Sequence, residues 1–162
     1  MLRRTLVTLL AAAMATFALA ALAACSPNEA AKPMAELGLD AKGTRIINSY
    51  DTHGGIHGDG VAYYCVGYED AHNVEAIEAN PAWHLLPMSD NVTNAVYSVM
   101  VAENGAPLFP VIMSGYYYFE DRHDQSTDPL SDADLNARAS YNFTVALYCT
   151  NTNVVHYAAI DS

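Results

Sequence analysis

The stretch "SYNFTVALYCTNTNVVHYAAI", residues 140–160, constrains the fold more than any other part of the chain. Tyr141, Phe143, Val145, Leu147 and Cys149 alternate, so they share one face of a strand. "TNTN" (150–153) is turn chemistry, and "VVHYAAI" (154–160) returns as a second strand. A closed hairpin with two apolar strands needs further strands beside it and a layer on its face.

Those partners can be read upstream. "GTRIINSY" (43–50) and "GVAYYCVGY" (60–68) have the β-branched and aromatic content of strands, and "PVIMSGYYYFED" (110–121) reads the same way. "AWHLLPM" (82–88) is a short extended piece. "NVEAIEAN" (73–80) predicts a short helix stopped by Pro81. After the N-cap candidates Ser89 and Asp90, Val92, Ala95, Val96, Val99 and Met100 form one apolar helical stripe, ended by Asn104-Gly105. Residues 121–139 are polar and acidic, a long loop with one helical turn at the Ser131/Asp134 spacing. The expected fold is α+β: a mainly antiparallel sheet of five or six strands with two helices packed on one face.

The amino terminus sets the compartment. Arg3 and Arg4 precede an uncharged apolar run from Leu6 to Ala24, the pattern of a secretory signal. The run closes on Leu22-Ala23-Ala24-Cys25, which resembles the lipobox of bacterial lipoproteins. The resemblance implies a signal peptide over 1–24, cleavage after Ala24, and fatty acylation (diacylglyceryl, then palmitate-type chains) at Cys25. Several chains give lasting attachment, since each buried CH₂ adds about 0.8 kcal/mol. Residues 25–42, with Pro27 and Pro33 and no strong periodicity, are expected to be a lipidated tether, leaving 43–162 as a single domain.

Cleavage removes two of seven Lys and Arg and no acid, so five cations stand against 18 Asp and Glu, a net −13. Such a surface repels nucleic acid and anionic head groups and favours cationic partners, besides giving solubility. Outside the cytoplasm, Cys65 and Cys149 are disulfide candidates, with two buried free thiols as the alternative.

The candidate site is "DTHGGIHGDG" (51–60). A glycine-rich loop can bend until His53 and His57 converge, with Asp51 or Asp59 adding an oxygen. His123, at the end of another strand, could then complete a nitrogen site for zinc. The same glycines serve equally as turn residues, which leaves a plain structural loop open. Acid–base chemistry by an Asp–His pair is the third reading. An EF-hand starting at Asp124 fails, because Pro129 and Leu135 stand where Gly and Glu are required. In "GYYYFEDRH" (115–123), Tyr116 and Tyr118 face one way, Tyr117 and Phe119 the other; an exposed aromatic pair suits ligand binding, a covered one is core. No GxSxG, P-loop, GxGxxG, CxxC or HExxH is present.

"DTHGGIHGDG" followed by "GYYYFEDRH" resembles a pattern in small uncharacterised bacterial secreted proteins and lipoproteins. That resemblance implies a shared domain and transfers no activity, cofactor or residue role. The expectation is therefore a lipoprotein of the cell envelope, anchored at the membrane through Cys25 and facing the extracytoplasmic side. Its domain would be a binding or interaction module; the alternatives are a metal-binding lipoprotein and an envelope hydrolase.

Overall fold

The computed structural model describes residues 29–54, 58–71 and 73–162. The segment expected to be a signal peptide (1–24), Cys25 and His57 lie outside the described residues. The fold is α+β, built on one six-stranded antiparallel sheet: β1 (Thr44–Asp51), β2 (Gly60–Tyr68), β3 (Trp83–Leu85), β4 (Gly115–Asp121), β5 (Asn142–Cys149) and β6 (Val154–Asp161). Their spatial order is β1-β2-β6-β5-β4-β3. The predicted hairpin is β5–β6, with Phe143 opposite Ile160 and Cys149 opposite Val154. Its turn carries Asn153 at φ 53°, a left-handed conformation that asparagine tolerates. β3 to β6 form a meander, and the β1–β2 hairpin joins along β6, with Ala62 opposite Ala159 and Tyr64 opposite Tyr157. A bulge at Ile47 interrupts the β1 register and leaves that side chain exposed.

Both faces of the sheet are covered, which is why six consecutive residues of β5, Phe143 to Tyr148, are buried. On one face Tyr63, Cys65, Phe119, Phe143, Val145 and Leu147 pack with Val92, Val96, Met100 and Phe109. On the other, Val66, Trp83, Tyr118, Tyr148 and Tyr157 pack with Met34, Leu37 and Ile77. The aromatic run of β4 follows from this: Tyr118 and Phe119 point to opposite faces and both are buried.

Helices α1 (Ala31–Glu36), α2 (Val74–Ala79) and α3 (Asp90–Asn94) supply the cover. The two helices expected on one face are divided: Ile77 of α2 joins the Tyr148 side, Val92 of α3 the Phe119 side. Ser89 caps α3 as expected, its side chain accepting from the Val92 N–H. The helix widens into a π-turn over Ala95–Val99, closed by the Met100 N–H to the Ala95 carbonyl, and ends there, short of Asn104. β4 begins at Gly115 instead of 110, because the chain turns there at φ 133°, with the glycine hydrogen where a Cβ would lie 1.9 Å from the Tyr148 carbonyl oxygen. The acidic loop is fixed by ion pairing of Arg138 with the buried Asp121 and by a hydrogen bond from Ser89 to Asp132. Its helical content is one 3₁₀ turn, Leu135–Ala137.

The expected tether is corrected. Ala30, Met34 and Leu37 fall at i, i+4 and i+7 and are fully buried, with Leu39 nearly so. Pro33, one of the two prolines that suggested a tether, sits in the first turn of α1, where a missing N–H costs nothing. The packed domain therefore starts by residue 30, not 43.

The disulfide expectation is corrected as well. Cys65 and Cys149 are free thiols. They lie on the same face of the sheet, but β6 runs between β2 and β5. Two strand spacings amount to about 9.6 Å, beyond the roughly 4.4–6.8 Å between Cα atoms that a bridge spans.

Candidate functional site

Five strand ends gather at one edge of the sheet: β1 closes on Asp51, β2 opens on Gly60, β6 closes on Asp161, β5 opens on Asn142 and β4 closes on Asp121. α1 crosses the face just inside this edge. Between them lies a pocket of about 450 Å³. Its floor is made by two cross-strand pairs. Ala62 and Ala159 have no bulk to fill the space under the helix, and Tyr64 and Tyr157 stand beside them with ring centroids 6.1 Å apart. α1 contributes Glu29, Lys32, Pro33 and Glu36 as a wall. The Tyr157 hydroxyl donates to the Glu36 carboxylate. Burial first, and that carboxylate second, push the Tyr157 phenol well above its usual pKa, so it remains a donor.

The rim carries the charge. Asp51 Oδ1 accepts from the backbone N–H of His53 at 2.8 Å and lies 2.8 Å from its Nδ1. The other ring nitrogen, Nε2, is 3.3 Å from Asp161 Oδ2. Arg122 Nη2 lies 3.3 Å from Asp161 Oδ1 and donates to the carbonyls of Phe143 and Ile160 at 3.4 Å. One imidazole thus bridges the ends of β1 and β6, and only the imidazolium donates from both nitrogens at once. The His53 backbone amide first, then its ring, hold the Asp51 carboxyl below its usual pKa. Gly60 makes this seat possible. A Cβ there would stand 2.6 Å from the His53 nitrogen and 2.7 Å from its Cα, so any other residue pushes the loop outward.

The predicted site residues are partly brought together. His53 and Asp51 are at the rim. Asp59 is exposed and lines a separate shallow groove with Thr52, Gly60 and Ile160. His123 does not converge on His53: its Nε2 pairs with Ser140 Oγ at 3.0 Å, and its Nδ1 accepts from the Gln125 N–H at 3.1 Å. Among the described residues, no group of three or more His, Cys, Asp or Glu side chains could hold a metal ion. Sequence reasoning missed Asp161, Arg122, Tyr157 and the whole of α1. The pairing of β2 with β6 brings them in, and the only local signals were a carboxylate closing a strand and an arginine beside the His123 cluster.

The lining of the pocket is made of carboxylates, two tyrosines, two alanines, Pro33, Lys32, His53 and Arg122. Among the described residues it includes no Ser, Thr or Cys nucleophile. Both nitrogens of its histidine face carboxylates, Asp51 and Asp161. No described helix is long and apolar enough to cross a membrane. Comparison with family models, with curated proteins and with solved structures gives no match, so the meaning of this pocket rests on its own geometry.

Proposed function

We propose that the chain is an extracytoplasmic lipoprotein, held at the membrane through acylated Cys25, whose domain binds a small ligand in the pocket between α1 and the β1–β6 edge. The apolar run ending in Leu22-Ala23-Ala24-Cys25 supports the anchor. The observation that carries the binding reading is the pocket itself: an alanine recess beside two tyrosines, rimmed by the Asp51–His53–Asp161–Arg122 chain of hydrogen bonds and ion pairs. Pockets with an apolar floor and a few oriented polar groups are where small ligands bind.

Two measurements test the proposal. Cells fed a labelled palmitate analogue incorporate label into the chain, and Cys25→Ala abolishes incorporation; label retained in the variant refutes the anchor. A nuclear magnetic resonance screen of the full chain in detergent, using sets of small amines, carboxylates and saccharides, moves the Tyr64 and Tyr157 ring signals for at least one set. Ala159→Trp, which fills the recess, removes that response. Tyrosine signals that stay fixed with every set refute the binding reading.

A further inference from the structure

The charge and shape of the pocket restrict what it can hold. Among the described residues of the lining, Glu29, Glu36, Asp51 and Asp161 stand against two fixed cations, Lys32 and Arg122. Arg122 turns its Nη2 to Asp161 and to two backbone carbonyls, so part of its charge is already spent within the fold. The Asp161 carboxylate, in contrast, spends one oxygen on Arg122 and the other on a long contact with His53. Beneath these carboxylates, Tyr64 and Tyr157 offer ring surface at 6.1 Å centroid separation, with the alanine recess alongside. Carboxylates above an aromatic floor attract a cation that also has carbon to bury, through charge pairing, cation–π attraction and apolar contact together. A bare metal ion would use neither the rings nor the recess.

We propose that this pocket takes an organic cation, a primary ammonium on a short carbon chain, with the charge received by Asp161 and Asp51 and the chain lying on Tyr64 and Tyr157. The proposal rests on the ligand-binding reading of the same pocket and names its ligand class. The His53 ring lies between the two carboxylates that receive the ammonium, 2.8 Å from Asp51 and 3.3 Å from Asp161.

The experiment titrates the full chain in detergent micelles with n-butylammonium chloride, using n-butanol as the uncharged isostere. Butylammonium is expected to bind at least tenfold more tightly than butanol. Asp161→Asn should weaken it at least tenfold, and Tyr64→Leu about threefold. Should Asp161→Asn fail to fold by circular dichroism, Glu36→Gln on the exposed side of α1 replaces it, with a loss of at least threefold expected. Equal binding of butanol, or unchanged binding in the carboxylate variants, overturns the proposal. So does a screen in which saccharides or carboxylates move the tyrosine signals and amines do not; that result leaves the binding pocket standing and removes only the amine. Vesicles separate the two sources of such a group. Capture by phosphatidylethanolamine but not phosphatidylglycerol vesicles, competed by butylammonium, assigns a lipid head group; amine binding without vesicle capture assigns a soluble amine.

Discussion

Replacing Met34 by alanine separates a tether from a packed helix. In a solvated tether the change would be silent, or slightly favourable, since alanine is the best helix former. Here Met34 is fully buried against the Tyr148 side of the sheet, with Leu37 and Leu39 beside it. Its backbone carbonyl accepts from the Leu39 N–H at 2.8 Å, a bond that alanine keeps, so the loss is confined to the side chain. Removing a buried methionine side chain costs about 2–5 kcal/mol, the larger values where the cavity cannot collapse. This site is held between helix and sheet, so about 3 kcal/mol is expected, near 10 °C in melting temperature for a domain of this size. Trp83 reports the change directly, because its indole N–H donates to the Leu37 carbonyl at 3.1 Å and its environment depends on α1. Urea unfolding followed by Trp83 fluorescence should show a lower midpoint with an unchanged slope. A Met34→Ala variant within 0.5 kcal/mol of the parent would refute the packing of α1, and with it the wall of the pocket.

Three further outcomes follow from the geometry. Gly60→Ala places a methyl group 2.6 Å from the His53 backbone nitrogen, so the imidazole leaves Asp161; histidine ring signals that are unchanged by magnetic resonance would contradict this. Desolvation pulls the His156 pKa from 6.5 to about 4, so the folded state keeps it neutral while the unfolded state takes up a proton. Stability is thus fully present above pH 6.5 and lost as pH falls toward 4, by about 1–2 kcal/mol after allowing for the partial exposure of the ring; His156→Phe should flatten the urea midpoint across that window, and an equally steep profile refutes the assignment. Burial raises the Cys149 thiol pKa, but hydrogen bonds from Thr152 and the Asn151 and Thr152 amides outweigh it and leave it low, whereas burial leaves Cys65 high. Thiol labelling of the native protein should modify Cys149 before Cys65, and a mass two hydrogens short in the unreduced, denatured chain would show the bridge that the sheet order excludes.

The strands were the most legible part of the chain. β2 has the bounds its sequence predicts, and the β5–β6 hairpin follows from alternation around "TNTN". Such signals are local: a pleated strand needs only its own residues to declare a face. The helices were legible in position and not in placement, because one apolar stripe looks the same whichever face of the sheet receives it. α1 was missed because its three apolar positions stand among Pro, Lys and Glu, and six residues are too few for periodicity to outweigh composition.

The sequence by itself determined an antiparallel α+β architecture, a strongly acidic surface, and a glycine-rich loop at 51–60 between two strands. Only the tertiary structure decided where the chemistry lies. His53 meets Asp161 across a separation of 108 residues, a pairing that exists because β6 docks along β2. No local propensity encodes that choice; it arises from burying both faces of the central strands at once, which fixes the strand order and so brings these side chains to one edge.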